Sequence, residues 1–471
     1  MNTIRSRNLL KNISSLNRVG SVNCNGIGIN RIGFNKTITP INQNLIPCRS
    51  YITIPDVDDV LLGEDEYKYV PQSVGQLPVA HYVKGRYISP WTRKTDKSNW
   101  AVMKWLINGK QERLKLPPQF TSVVEKMLKR LTMSKALTCT KDKLHLTWMG
   151  HASCYFQSGG LHFITDPVFS QRASPFQFIG PKRVMEPLFD IDDLFPELDV
   201  VLLSHTHYDH LDYDSAMRIG NRALWIVPLG VKKILDGWGI TNVVELNWWD
   251  KHRIIDETKN IDVEVVFCPT KHWTSRTPFD RNTCLWGSYV VASSQGRFFF
   301  GGDTAYCSVF KQIGELYGPF DLSCLAIGAY KPRWFMKDVH CDPSESIQIH
   351  KDLKSLQSVG IHWGTFPLAD EDDIEPALEL GRQRIYNNMK TSEFYTMAMG
   401  ETIIPSDIVK DTQPLNDMSL SNPELFEYFI NNCEELESLR DAKDSKDAKE
   451  NELQNKNTGS GTGVIEDNIK N

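Results

Sequence analysis

The ten residues LSHTHYDHLD, at positions 203–212, hold three histidines and two aspartates, and they overlap the end of the apolar run DVVLL at 199–203. A short Val/Leu-rich run bounded by polar residues is typical of a buried strand. The chain therefore leaves a predicted strand and at once presents His205, His207, Asp209 and His210. Because a strand end holds its side chains still, this spacing predicts a preorganised metal site at the end of that strand.

The composition limits the class of protein. The chain has 471 residues, of which 41% are hydrophobic, and a net charge of −5. It is long enough for one large domain or two, and its charge does not favour nucleic acid as a partner. The ten cysteines form no CxxC pair, which argues against zinc fingers and disulfides and favours a reducing, intracellular compartment. No apolar run reaches the roughly 18 residues of a transmembrane helix.

The two ends differ from the middle. Residues 1–55 contain seven basic residues and no acidic one, a composition typical of a mitochondrial transit peptide, and CRSYIT at 48–53 would suit cleavage. The alternative is a disordered, Asn-rich leader without a targeting function. Residues 434–471 are first charged and then rich in Gly, Ser and Asn, which predicts a frayed helix followed by a disordered tail.

The segment 91–137 combines basic and aromatic residues. It has eleven Lys and Arg against three Asp and Glu, an excess of eight positive charges, and Trp91, Trp100 and Trp105 lie among them. Basic residues beside Trp and Leu are typical of an element at a membrane interface, so we expect a peripheral membrane surface as a partner. The alternative is a surface helix whose apolar side packs on the core.

The middle of the chain alternates strand and helix signals. One helix is predicted over 342–356, because Asp342 is a suitable N-cap, Pro343 suits the first helical position and Glu345 would complete a capping box. Strands with interspersed helices indicate an α/β or α+β sandwich. Eight apolar runs predict strands, at 143–150, 161–167, 199–205, 223–230, 263–269, 287–293, 297–304 and 322–328.

A metal ion needs ligands from more than one turn. Zinc is held by three or four His nitrogens and carboxylate oxygens, and a single turn does not easily surround an ion. His272, Asp303 and His362 each follow an apolar run and begin a polar turn, so we predict that they complete the site. Taken singly, each would be an ordinary loop or turn residue. The HTHYDH run at 205–210 needs partners, and it therefore favours the metal role for all three.

These residues and several longer motifs resemble a known family. HxHxDH followed by a His, an Asp and a last His at strand ends is the ligand order of the metallo-β-lactamase superfamily. A closer resemblance is to the N-acylphosphatidylethanolamine-hydrolysing phospholipase D family, and it extends over residues 80–405. The matching motifs include TWMGHASC at 147–154, TDPVFSQRASPFQFIGPKR at 165–183, RFFFGGDTAYC at 297–307, GAYKPRWFMK at 328–337 and IHWGTF at 361–366.

The resemblance implies a fold and a ligand set. The fold would be α/β (α+β), a four-layer αββα metallo-β-lactamase sandwich with two zinc ions between the sheets. Asp303 would bridge the two ions, and Asp166 would orient one ligand imidazole through its second nitrogen; the alternative for Asp166 is a strand-end turn carboxylate. The implied ligands are His205, His207 and His272 for one zinc, and Asp209, His210 and His362 for the other.

The same resemblance implies a phospholipase D-type hydrolase. Two zinc ions lower the pKa of a water molecule, which would attack the phosphorus of N-acylphosphatidylethanolamine and release phosphatidate and N-acylethanolamine. The chain has no GxSxG run that would supply a serine nucleophile. Asp303 and His340 are the catalytic candidates, and Gln177, Tyr208 and His340 are the candidates for binding substrate. The alternative for His340 is a residue that flanks a helix, and we expect His350 to be structural.

Two other functions compete with this one. The second hypothesis is a hydrolase of another ester, lactone or thioester, because the fold hosts many chemistries. The third is a non-catalytic binding protein, which the full ligand set argues against. The segment 91–137 and the family motifs favour the first hypothesis, with a phospholipid substrate, a peripheral membrane surface and no nucleic acid as partner. The sequence leaves two further possibilities, a homodimer and a mitochondrial location.

Overall fold

The structure, a computed structural model, describes residues 77–91, 143–187, 191–194, 198–407 and 424–430. All of them belong to one unit of the chain, Leu62–Asn471. The predicted leader, the predicted tail and all of the basic-aromatic segment except Trp91 lie outside the described residues, so the predictions made for them stay predictions. Trp91 itself is half-buried, and its ring centroid lies 5.9 Å from that of Trp248 in the main core.

The described residues form short strands separated by short helices. The strands are β1 His81–Val83, β2 Arg86–Ile88, β3 His145–Trp148, β4 Cys154–Ser158, β5 Leu161–Thr165, β6 Val200–Leu202, β7 Leu224–Pro228, β8 Val243–Leu246, β9 Lys251–Asp256, β10 Ile261–Cys268, β11 Ser288–Ser293, β12 Gly296–Phe300, β13 Leu322–Ala326, β14 Ser358–Ile361, β15 Phe394–Tyr395 and β16 Thr402–Ile403. The helices are α1 Tyr213–Ile219, α2 Lys232–Gly237, α3 Val309–Leu316, α4 Arg333–Met336, α5 Pro343–Asp352 and α6 Glu375–Tyr386, and residues 424–430 are also helical.

The eight predicted strands are confirmed, as β3, β5, β6, β7, β10, β11, β12 and β13. The predicted helix is confirmed as α5, and the Asp342 carboxylate accepts a hydrogen bond from the Glu345 N–H at 2.9 Å. The helix ends earlier than predicted, because Lys354 adopts a left-handed φ of 57°. Strand β9, with sequence KHRIID, was not predicted because four of its six residues are charged or polar.

Two seven-stranded sheets form the framework, in the orders β16-β3-β4-β5-β6-β7-β8 and β15-β14-β13-β12-β11-β10-β9. Each sheet is antiparallel on one side and parallel on the other. The parallel parts run from β5 to β8 in the first sheet and from β12 to β15 in the second. The two sheets therefore share one topology, and β1 and β2 form a separate hairpin.

The core follows the period-two alternation of the strands. In β6, Val200 and Leu202 join the cluster between the sheets, whereas Val201 joins the cluster that contains residues of α1 and α2. The sheets meet face to face, as where the rings of Phe156 and Phe298 lie 4.1 Å apart. On the far side α5 packs against β13. The fold is thus the predicted four-layer αββα sandwich. Among the described helices, none combines the length and the apolarity needed to cross a membrane.

The strand ends position the candidate site. The HTHYDH run at 205–210 follows β6 of the first sheet, and His272, Asp303 and His362 follow β10, β12 and β14 of the second. Because both sheets end their strands at one edge of the sandwich, side chains that are far apart in the sequence are brought together there.

Candidate metal centre

Three histidines, called here the first group, converge at this edge: His205, His207 and His272. The Nε2 atom of His205 lies 2.8 Å from Nδ1 of His207. That same Nδ1 lies 3.3 Å from Nε2 of His272. His205 and His272 are buried and His207 is half-buried, so the three ring nitrogens meet in a site that is open to solvent only on the side of His207.

A second group contains Asp209, His210 and His362, and His151 lies beside it. The Oδ2 atom of Asp209 lies 3.3 Å from Nε2 of His210 and 3.4 Å from Nε2 of His362. His362 has a left-handed φ of 63°, which turns its side chain inward directly after β14. The structure thus brings together the three residues that the sequence predicted for the second ion.

Asp303 lies between the two groups. Its Oδ1 atom is 3.1 Å from Nε2 of His362, and its Oδ2 atom is 3.2 Å from Nε2 of His210. The same Oδ2 is 3.7 Å from Nε2 of His272 and 3.9 Å from Nε2 of His205. One carboxylate therefore faces ligands of both groups, which is the position a bridging ligand needs.

The proton positions of the first group fit a metal ion. His272 donates its Nδ1–H to the Val339 carbonyl at 2.8 Å, and His205 donates its Nδ1–H to Ser204 Oγ at 2.9 Å. Their Nε2 atoms therefore carry lone pairs, and both point at the same atom of His207. With Nε2 of His205 and of His272 unprotonated and facing His207, the three imidazoles form a donor set that could hold a divalent metal ion.

The protonation of the buried imidazoles is consistent with this arrangement. Burial lowers the pKa of His272 to about 3 and that of His207 to about 4, so both rings are neutral and able to bind a metal. Burial also opposes charge on His362, but Asp303 and Asp209 outweigh it and raise its pKa to about 9. The same two carboxylates would equally attract a metal cation.

Asp166 supports the ligands from behind. Fully buried, it accepts a hydrogen bond from His210 Nδ1–H at 2.6 Å and from Ser204 N–H at 2.7 Å. Ser204 Oγ donates to the same carboxylate at 2.5 Å, and in turn accepts from His205. One carboxylate therefore fixes the tautomers of two histidines, in different groups, and leaves their Nε2 atoms facing the centre.

His340 lies at the rim of the centre. Its Nδ1 atom is 3.8 Å from Asp303 Oδ2, and its ring centroid is 5.2 Å from that of His272. Burial lowers its pKa to about 3, so the imidazole is neutral. Unlike His272 it is partly exposed, which places it where a bound substrate could reach it.

Sequence reasoning missed His151. Its Nε2–H donates to Asp209 Oδ2 at 3.0 Å, its carbonyl accepts from His362 N–H at 2.9 Å, and its ring lies 4.1 Å from the ring of His362. The signal was present, because His151 follows a predicted strand and begins a Gly-His turn, the same criterion that selected His272. Because of its contacts with Asp209 and His362, His151 belongs to the centre.

Gln177 and Tyr208, the other two residues predicted to bind substrate, form hydrogen bonds with the backbone of the protein. Gln177 is exposed, and its amide is bonded to the backbone of Arg172 at 3.0 and 3.2 Å. The Tyr208 hydroxyl donates to the Arg276 carbonyl at 2.9 Å. Their roles with substrate stay predictions. His350, expected to be structural, is buried in α5 and bonded to Ser358 Oγ at 2.8 Å.

Known proteins resemble this chain in sequence and in fold. A family model described as a β-lactamase superfamily domain matches residues 162–363. An N-acyl-phosphatidylethanolamine-hydrolyzing phospholipase D from Caenorhabditis elegans is 42% identical over 280 residues, which are 57% of this chain and 78% of that protein. The mitochondrial phospholipase D of the same description from Saccharomyces cerevisiae is 34% identical over 269 residues, 56% of each chain. Among solved structures, a metallo hydrolase from Ignicoccus hospitalis is 20% identical with a TM-score of 0.41, covering 55% of this chain and 97% of that one.

Proposed function

This chain belongs to the N-acylphosphatidylethanolamine-hydrolysing phospholipase D family and is a metal-dependent hydrolase, and we propose that its own substrate is N-acylphosphatidylethanolamine. The products would be phosphatidate and an N-acylethanolamine. The observation that carries the proposal is Asp303, whose two oxygens face two separate ligand groups. A pair of metal ions that share a carboxylate suits the displacement at phosphorus in a phosphodiester.

The proposed metals are two zinc ions. The first group would bind one ion, the second group would bind the other ion, and Asp303 would contact both ions. Zinc in such a pair supplies Lewis-acid stabilisation of charge on the phosphoryl oxygens and lowers the pKa of a water molecule. The chemistry of the donors supports zinc, because five imidazoles and two carboxylates are the ligands it prefers.

The chain's own residues orient this chemistry. Asp166 holds the Nδ1 protons of His210 directly and of His205 through Ser204, so the ligands need not reorganise during turnover. His340, neutral and at the rim, would donate one hydrogen bond to the phosphate of the bound lipid. In the overall reaction a water oxygen bonds to phosphorus, the bond from phosphorus to the ethanolamine oxygen breaks, and a proton passes to that oxygen.

The proposed location is a mitochondrial membrane surface. The relative from Saccharomyces cerevisiae is described as mitochondrial, and the leader 1–55 is basic without an acidic residue. Both features support import into that organelle, and a lipid substrate requires contact with a membrane surface.

The test is hydrolysis in ¹⁸O-labelled water. Metal-loaded full-length protein is incubated with N-acylphosphatidylethanolamine and, separately, with short-chain carboxylic esters, lactones and thioesters, and the products are followed by mass spectrometry. We expect ¹⁸O in phosphatidate and none in the N-acylethanolamine, because attack is at phosphorus. Turnover of the esters, lactones or thioesters without turnover of the phospholipid would refute the proposal in favour of the second hypothesis.

A matched pair of variants links the activity to the centre. Asp303→Asn removes the bridging charge and nearly keeps the shape, so we expect activity to fall at least about 100-fold. Asp262→Asn makes the same chemical change at an exposed surface pair with Arg253 and should leave activity unchanged. Equal activity of the two variants would show that Asp303 is only a turn residue.

A further inference from the structure

Two surface loops present phenylalanine side chains to solvent. On loop 171–184 Phe176 is 55% exposed and Phe178 is 79% exposed, and their rings stack with centroids 5.4 Å apart. On loop 273–282 Phe279 is 84% exposed. Single exposed apolar residues are ordinary, but large ones grouped on a few loops beside a site indicate an interaction surface.

Loop 171–184 is built to hold its tip outward. The Gln177 amide both accepts from and donates to the backbone of Arg172. The Arg172 guanidinium donates to the Gly180 carbonyl at 2.5 Å. Gly180 has a φ of 104°, and a Cβ atom there would lie 2.7 Å from Ser174 Cβ, so only glycine fits. These contacts fix the conformation of the loop. The stacked phenylalanines are exposed for this reason, since the loop cannot fold them onto the core.

Loop 273–282 is ordered around one carboxylate. Asp280 Oδ1 accepts from the N–H groups of Arg276 and Thr277 at 2.9 and 2.7 Å. Arg86 donates to the Phe279 carbonyl at 3.0 Å. Since Asp280 is the single acidic residue of the two loops and its charge is used inside the loop, the surface around Phe279 is basic, with Arg86 and Arg281 beside it.

Each loop is tied to a different ligand group. The Val184 N–H donates to the Thr365 carbonyl at 2.9 Å, and Thr365 Oγ1 accepts from the His151 N–H at 2.7 Å. On the other loop, Trp273 packs edge to face on His207 with centroids 4.4 Å apart, and the Arg281 guanidinium lies 4.1 Å from the Trp273 ring centroid. Both loops that expose the phenylalanines therefore also contact residues of the metal centre or their immediate neighbours.

We propose that loops 171–184 and 273–282 form a docking rim around the metal centre, and that this rim contacts a phospholipid bilayer. Phe176, Phe178 and Phe279 enter the interfacial layer, and Lys182 and Arg281 meet anionic headgroups. The choice of a lipid surface rests on the proposed function, because a lipid whose phosphate enters the centre leaves its acyl chains at the rim. Both loops carry a net positive charge, which favours an anionic lipid surface over an uncharged protein partner. A bilayer also has an apolar layer that can receive the three phenylalanines, which the surface of an acidic protein would lack.

The experiment measures vesicle binding without substrate. Metal-loaded full-length protein is floated with vesicles of phosphatidylcholine alone or of phosphatidylcholine with phosphatidylglycerol. We expect each Phe→Ser change, at Phe176, Phe178 or Phe279, to weaken binding by roughly tenfold on both vesicles and at high salt, because burial of an apolar ring is insensitive to salt. Arg281→Gln should weaken binding only on the anionic vesicles and only at low salt.

Controls separate docking from folding and from catalysis. Leu356→Ser changes a leucine that is 58% exposed away from both loops and should bind as the wild type does. The Phe variants should keep their metal content and melting temperature, and they should lose more turnover on vesicle-embedded lipid than on a water-soluble phosphodiester.

Two outcomes would overturn the docking rim. Wild-type vesicle binding by the Phe variants would do so whether or not the protein hydrolyses N-acylphosphatidylethanolamine, since no substrate is present. A change of self-association in sedimentation, with vesicle binding intact, would assign the loops to contact with a second copy. Weakened vesicle binding in a protein that fails the hydrolysis test would support the rim and reject the substrate.

Discussion

His151 offers the sharpest test of how the second ligand group is held. Its backbone has a left-handed φ of 51°, which Asn tolerates better than most residues. In His151→Asn the amide stands where Nδ1 stands in histidine and cannot reach Asp209. In His151→Gln the amide stands near the position of Nε2 and can still donate. The pair of variants therefore differs in one hydrogen bond, the 3.0 Å contact to Asp209 Oδ2.

The expected loss of metal affinity in His151→Asn follows from that hydrogen bond. It joins a fully buried imidazole to the carboxylate of a predicted ligand, and loss of such a supporting contact lowers metal affinity by about 10–100-fold. At 1.4 kcal/mol for each factor of ten, this corresponds to about 1.4–2.8 kcal/mol. The first group should be unaffected, because its hydrogen bonds to Ser204 and Val339 do not involve His151.

The assay is metal retention against a graded series of chelators, read by elemental analysis. His151→Asn should lose one of two zinc ions at a roughly 10–100-fold weaker chelator strength than the wild type, and His151→Gln should lie close to the wild type. If both variants release both ions together, or if Asn and Gln behave alike, the hydrogen bond does not position Asp209. Circular dichroism checks that the variants remain folded.

Further predictions concern the centre and the leader. Asp166→Asn should weaken metal binding by about 10–100-fold, because it disturbs imidazoles of both groups, and unchanged affinity would leave Asp166 a turn residue. Removal of metal by a chelator should lower the melting temperature, because an ion that binds only the folded state stabilises it; an unchanged melting temperature would contradict a site inside the fold. His340→Gln should reduce turnover while the metal content stays at two ions per chain, and a fall in content would make His340 a ligand. A fluorescent fusion of residues 1–55 should be imported into mitochondria, and diffuse cytosolic fluorescence would reject the transit peptide.

Local patterns in the sequence were sufficient for much of the fold. The β6 run DVVLL and the other seven apolar runs predicted strands because burial on both faces selects Val, Leu, Ile and Phe whatever the neighbouring strand. Asp342 predicted the start of α5 because a cap depends on residues adjacent in the chain. Strands such as β9 could not be predicted, since a polar edge strand is specified by its partner rather than by its own residues.

The ligand types of the centre could also be inferred from the sequence, since His272, Asp303 and His362 each follow a strand. That they complete one site was a prediction, and the bridging position of Asp303 was implied by the resemblance. The tertiary structure supplied the distances that bring these strand ends together, and it placed His151 beside the second group. Both depend on distances between residues remote in the chain. The same holds for the amide of Gln177, which closes a loop through Arg172, and for the exposure of Phe279. Hydrogen bonds across a loop, and the packing of two sheets, determine which side chains are buried and which nitrogen of each imidazole faces the centre.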